Sequence, residues 1–219
     1  MRVTLNCSGR ALELDSPRVF AAAYTGRGAA AVQRHVDELA AAGVPPPARV
    51  PFAFPVLPRL LEIDPGTINV YGAETSGEAE PVIVLLDGEP RYVGVGSDHT
   101  DRVLERTSIE LSKQVCPKVL ALDVWKLGDV IERWDSLRLT ASSDGRPYQN
   151  SSLVTMLPPT DLVDVVPRAK LGPVALLFCG TVPLLGDLDF GRKFHVALVD
   201  EAANRSLQVD YEVEILQGS

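Results

Sequence analysis

Apolar residues recur at helical spacing in one stretch of this chain. Val32, Val36, Leu39 and Ala40 form a stripe, and Gly43 with Pro45-Pro46-Pro47 stops it, which predicts a helix over 29–42. A second helical pattern runs over 101–116, carried by Val103, Leu104, Ile109 and Leu111. Most of the rest reads as strand. Residues 3–5 and 11–14 look like an opening hairpin, and 51–58 is extended because its prolines exclude helix. Strand-like runs cover 68–71, 82–86, 137–141, 153–156, 174–179, 194–199 and 209–215, and Asp87-Gly88 is a turn signal. Helices and strands do not alternate as βαβ units, so the pattern predicts a strand-rich α+β chain rather than a doubly wound sheet.

Composition narrows the function classes. The 219 residues are enough to bury a substantial core, and no repeat, low-complexity tract or linker divides them, so 1–219 reads as one domain. A net charge of -8 argues against nucleic acid and anionic membrane surfaces as partners. No apolar run reaches the length of a membrane span, and the first residues lack the pattern of a signal peptide, so a cytoplasmic protein is expected. Cys7, Cys116 and Cys179 are too widely spaced for a disulfide framework or a zinc site and are expected to be reduced, with Cys179 in the core.

The candidate chemistry is Glu78-Ala-Glu80 followed by Asp98. Residues i and i+2 of a strand share a face, so the two glutamates can converge. A third carboxylate beside them would be repelled unless a cation sat between, and hard divalent ions such as Mg2+ favour such oxygen ligands. The same residues can also be a solvated acidic strand edge. Hairpin register separates the two. A three-residue loop, Asp87-Gly88-Glu89, faces Leu86 with Pro90 and Glu78 with Asp98, placing all three carboxylates on one face. A loop one residue shorter or longer turns Asp98 away, unless a bulge or a bend at Gly94 or Gly96 restores the register.

Taken in order, several segments resemble the fumarylacetoacetate hydrolase superfamily, in a short divergent branch of unknown function. Thr25-Gly26-Arg27 and His35-Val36-Asp37-Glu38 are similar to its early loop and H-x-x-E helix, and Pro51-Phe52-Ala53-Phe54 to the stretch that follows. Ser76 to Glu80 is similar to its E-x-E segment, and Val93 to Arg102 to its G-x-x-x-x-D-x-T-x-R-D signature. Lys118 lies where the family carries a lysine, Asp144-Gly145 with Gln149 resembles the later N-G…Q segment, and Gly180-Thr181 the G-T turn. Departures exist. Glu105 stands where a glutamine is usual, Val103 where aspartate is common, and Cys116-Pro117-Lys118 replaces a glycine-lysine pair.

The resemblance implies a mixed β-sheet roll or sandwich of the fumarylacetoacetase C-terminal type with a few flanking helices. Residues 1–60 would supply N-terminal strands and the H-x-x-E helix as a lid, and 61–219 the roll that holds the metal. It implies Mg2+ or Mn2+ on Glu78, Glu80 and Asp98, and a catalytic set of His35, Glu38 and Lys118. Arg102, Glu105, Gln149, Gly180 and Thr181 would bind substrate. The implied substrate is a small 2-oxo acid or β-diketo acid and the implied assembly a homodimer. The expected activity is C–C bond hydrolysis through a metal-stabilised enolate. A 2-oxo acid decarboxylase or dehydratase on the same site, and a non-catalytic oligomeric module with a structural cation, are the alternatives.

Overall fold

The computed structural model describes residues 1–41, 46–47 and 49–216. Its centre is a mixed sheet in the order Phe52–Val56, Arg18–Ala23, Val174–Phe178, Ala79–Leu86, Glu89–Asp98, Lys118–Leu120 and Leu61–Ile63, with Trp125–Lys126 also pairing Glu89–Asp98. A second sheet follows the order Arg146–Ser152, Arg138–Ser143, Lys193–Asp200, Arg205–Ile215 and Gly66–Val70. Three of the pairings are parallel and the rest antiparallel within these two sheets. The strand-rich fold with short helices matches the roll that the sequence led us to expect.

Side-chain alternation on the central strands builds two cores. Ile83, Leu85 and Leu177 point toward the second sheet and pack in one cluster with Leu139, Val196, Leu198 and Val209. Val82, Val84, Leu176 and Phe178 point the other way, in a cluster with Val3, Leu5 and Leu14 of the opening hairpin. Both faces of these strands are therefore covered, which is why 82–86 is uninterruptedly apolar instead of alternating. Strands from the first 60 residues, Arg18–Ala23 and Phe52–Val56, lie in the same sheet as the later ones. Cys7, Cys116 and Cys179 are free and buried. Among the described residues no helix is long and apolar enough to cross a membrane.

Two elements differ from the sequence pattern. The helix expected over 101–116 is two short helices, Arg102–Glu105 and Ile109–Lys113. Asp101 caps the first by accepting from the Val103 and Leu104 N–H groups, and Ser108 caps the second by accepting from Leu111 N. Such side chains stabilise a new helix start better than a helix interior. Residues 153–156, expected as a strand, are a 3-10 turn over Leu153–Thr155 whose Leu153 is buried. A single apolar anchor inside a tight turn mimics strand patterning. The helix over Ala29–Ala41 agrees with expectation; within it the side chains of His35 and Glu38 lie outside the described residues.

The hairpin Ala79–Leu86/Glu89–Asp98 sets the site. Its loop has two residues rather than three, with Leu86 facing Glu89. Asp87 and Gly88 take φ of 53° and 78°, the double positive φ of the tight turn that Asp-Gly favours. By itself this loop would turn Asp98 to the wrong face. A bulge corrects it: Leu85 faces Pro90 and Val84 faces Tyr92, so Arg91 is an extra residue. Beyond the bulge Ala79 faces Ser97, and Asp98 N donates to Glu78 O at 2.9 Å.

At Gly96 the ladder is too crowded for a side chain. A Cβ there would overlap the Val119 carbonyl oxygen of the next strand and stand 2.9 Å from the Phe178 ring. Gly96→Ala should cost about 1–3 kcal/mol of stability, read as a lower urea midpoint with an unchanged slope.

Candidate metal centre

Glu78, Glu80 and Asp98 each offer an oxygen, and these oxygens all lie within 4.8 Å of one another. Glu80 and Asp98 are buried and Glu78 nearly so. Unshared, three such charges would make this point of the fold strongly unfavourable. Three cations answer them. The Arg102 guanidinium stands 3.2 Å from Glu78 through Nη2 and 2.8 Å from Glu105 through Nη1, while its Nε donates to Ser76 Oγ at 2.7 Å. Lys113 Nζ donates to Glu78 and pairs with Asp98 at 3.0 Å. Lys118 Nζ meets Asp98 at 2.9 Å and donates to the carbonyls of His99 at 2.7 Å and Cys116 at 3.1 Å.

The carboxylates differ in what they feel. Burial pushes the Glu78 carboxyl up, but the charges of Arg102 and Lys113 outweigh it and hold Glu78 well below the usual carboxylate range. Glu80 is pushed far above that range, first by burial and then by the charge of Asp98, against a weaker pull from Lys113. Among the described residues it has no ion pair; it accepts one hydrogen bond, from Gly180 N at 2.9 Å. Burial lowers Lys118, whereas in Lys113 the charges of Asp98 and Glu78 overcome burial and raise it.

A turn from the neighbouring strand closes the cluster. Gln149 accepts from Ala79 N at 3.0 Å and donates to Thr181 Oγ1 at 2.6 Å and to Val182 O at 2.7 Å. Thr181 Oγ1 in turn donates to Ala79 O at 2.7 Å. Gln149 is thus a clamp that holds the Gly180-Thr181 turn on the strand bearing Glu80. Thr25 Oγ1 donates to Cys179 O at 2.7 Å, which brings the Tyr24-Thr25 segment against the same turn. His99 faces away from the carboxylates, between Tyr211 OH at 3.1 Å and Thr75 Oγ1 at 2.9 Å. Burial, and then the charge of Lys118, drive its pKa well below the ordinary histidine value, so it is a neutral bridge.

The structure therefore brings together Glu78, Glu80, Asp98, Arg102, Glu105 and Lys118, with Gly180, Thr181 and Gln149 at one side. Lys118 donates to two main-chain carbonyls and forms an ion pair with Asp98, and the side chain of Gln149 is engaged at both ends. The sequence reading missed Lys113, which touches two of the three carboxylates. One sign of it was available: Ser108 is a helix-starting residue in mid-pattern, and a second helix beginning there carries Lys113 in its last turn.

An all-oxygen, all-carboxylate donor set suits a hard divalent ion such as Mg2+ or Mn2+, and no thiol or imidazole joins it among the described residues. Glu80 also fits: among the described residues it is the carboxylate of this cluster without an ion pair.

No curated protein sequence matches the chain. Solved structures do. A fumarylpyruvate hydrolase from Pseudomonas aeruginosa, in complex with Mn2+ and pyruvate, superposes with a TM-score of 0.69 at 18% identity, covering 98% of this chain and 97% of that one. A 2-keto-3-deoxy-D-arabinonate dehydratase gives 0.68 at 17%, covering 96% and 77%. A yeast fumarylacetoacetate hydrolase family protein gives 0.65 at 16%, covering 92% and 94%. These likenesses establish the fumarylacetoacetate hydrolase fold. Residues 22–211 match the family described as a protein of unknown function, DUF2848, and the chain belongs to that family as a divergent branch on this fold.

Proposed function

We propose that this protein is a Mg2+- or Mn2+-dependent enzyme that hydrolyses a C–C bond in a small β-diketo acid, a 2-oxo acid with a second carbonyl two carbons on. The observation that carries this reading is the convergence of Glu78, Glu80 and Asp98 within 4.8 Å, with Glu80 left without a cationic partner among the described residues. The P. aeruginosa neighbour, with Mn2+ and pyruvate in the same fold, supports it.

Bound to Glu78, Glu80 and Asp98, a divalent ion would polarise the oxo group and lower the energy of the enolate that forms as the bond breaks. Lys113 supplies the neighbouring positive charge. Two of its protons face Glu78 and Asp98, and the third is available to the developing oxyanion. Lys118, held by two main-chain carbonyls, positions Asp98 through their ion pair. The main chain of the Gly180-Thr181 turn, held by Gln149, faces the substrate carboxylate. His35 and Glu38, at i and i+3 on the helix Ala29–Ala41, act as the acid–base pair. His35 takes a proton from water, the hydroxyl adds to the distal carbonyl carbon, and the bond to the adjacent carbon breaks. The proton held on His35 then goes to that carbon, leaving a carboxylic acid and a 2-oxo acid.

Two predictions follow from the unequal environments of these groups. A buried carboxylate with a raised pKa costs stability when pH lies above the ordinary carboxylate value, and the cost vanishes below about pH 4, where Glu80 is protonated in both folded and unfolded chains. With a chelator at neutral pH, Glu80→Gln should therefore raise Tm by roughly 2–4 °C, the equivalent of about 1 kcal/mol at this size. Mn2+ should raise the Tm of the wild type and leave that of the variant unmoved in scanning calorimetry. An equal Mn2+ response in both would remove Glu80 from the metal set.

The two lysines should separate. Lys118→Met leaves two buried carbonyls without a donor and Asp98 with Lys113 alone, and should cost about 3–5 kcal/mol. Lys113→Met leaves Glu78 with Arg102 and Asp98 with Lys118 and strips no main-chain carbonyl, so it should cost less stability than Lys118→Met, while turnover should fall by on the order of 10²–10³. The assay is loss of β-diketo acid absorbance with Mn2+, with product analysis to distinguish hydrolysis from dehydration or decarboxylation. A wild type that Mn2+ stabilises but that turns over none of these acids would favour a structural cation.

A further inference from the structure

The charged groups around the metal centre also bear on what the substrate carries at its far end. Arg102 would be the obvious partner for a second substrate carboxylate, yet the protein already engages it on three nitrogens, through Ser76, Glu78 and Glu105. Glu105 lies on the side of the guanidinium away from the metal centre. Its carboxylate is one guanidinium away from Glu78, and its side chain, like that of Glu78, is more exposed than that of Arg102. Lys113 and Lys118 turn toward Glu78 and Asp98.

The charge balance points the same way. Four carboxylates, Glu78, Glu80, Asp98 and Glu105, face three cations, Arg102, Lys113 and Lys118. That leaves one negative charge, which a divalent ion converts to one positive charge. A single carboxylate on the substrate cancels it; a second one has no free cation and meets Glu105. Tyr24 borders the same region. Its ring is buried, its neighbour Thr25 is tied to the Gly180 turn, and burial followed by the charge of Glu105 raises its pKa. Arg102, Lys113 and Lys118, the cations that touch this cluster, are thus all paired with its own carboxylates.

We propose that Glu105 restricts this site to oxo acids bearing one carboxylate, with an uncharged distal group. The proposal rests on the metal-centre reading above and adds the substrate's charge class to it. A second carboxylate within about 6 Å of Glu105 should weaken binding by on the order of a hundredfold at the effective dielectric of a partly buried site.

The test compares 2-oxovalerate with 2-oxoglutarate, which share a chain length and differ in the second carboxylate, by calorimetric titration of the Mn2+-loaded full-length protein. The wild type should bind 2-oxovalerate at least about tenfold more tightly, and Glu105→Gln should narrow the gap to about threefold or less. Gln keeps a hydrogen-bond acceptor for Arg102, so a merely structural loss would lower both affinities together and leave their ratio unchanged. Glu105→Ser serves if the glutamine variant does not fold. Equal wild-type affinities, or a ratio that neither variant moves, would overturn the proposal and leave the metal centre standing. Mn2+-dependent binding of neither acid would overturn the reading on which it rests.

Discussion

One extra residue in one strand holds this site together. The Asp87-Gly88 turn is the sequence-favoured two-residue loop, and on its own it would put Asp98 on the face opposite Glu78 and Glu80. The Arg91 bulge reverses that parity. Everything else at the site inherits the result: Lys118 lies opposite Asp98 on the next strand, Gly96 opposite Glu80, and the Gly180 N–H reaches Glu80 from the strand on the other side. The register is reinforced by the buried ion pair itself. A slip by one residue would bury Asp98 and Lys118 apart from each other, at a cost of several kcal/mol.

How much of the fold was legible depended on which face of an element was covered. The helix Ala29–Ala41, the opening hairpin and the apolar strands Val174–Phe178 and Lys193–Asp200 were visible because apolar side chains mark their buried sides. The strand Glu89–Asp98 was only implied by the hairpin. Its second half, Gly94 to Asp98, alternates glycine with residues that include Ser97 and Asp98, and all of them are buried. Pattern reading equates polar with exposed, and that equation fails where the buried partners are charges.

The same failure hid Lys113. In the short helix Ile109–Lys113, Leu111 is 58% exposed while Ser112 and Lys113 are buried. The amphipathic rule is inverted because this helix packs its charged end against carboxylates rather than its apolar residues against a core. The candidate metal ligands themselves were legible from strand periodicity, but the count of residues around the turn was not: the loop is one residue shorter and the Arg91 bulge restores the face. The role implied for Lys118 was less so. Its place in the chain was right for contact with the site, but only the geometry shows its ion pair with Asp98 and its hydrogen bonds to two main-chain carbonyls.

Stability by itself does not account for this arrangement. Buried ion pairs are often no better than apolar replacements of the same shape, and a buried carboxylate without a cation is worse than either. The Glu78, Asp98 and Glu105 carboxylates are matched by Lys113, Lys118 and Arg102, so those six groups could persist as a neutral structural knot. Glu80 breaks the balance. It shares a face with Glu78, is pushed toward protonation by burial and by Asp98, and has one main-chain N–H as its partner. A chain optimised for folding alone would carry an apolar residue there, as it does at the neighbouring Ala79 and Val82. Retaining an unmatched acid at the point where two others converge has a physical use only if something positively charged enters the site.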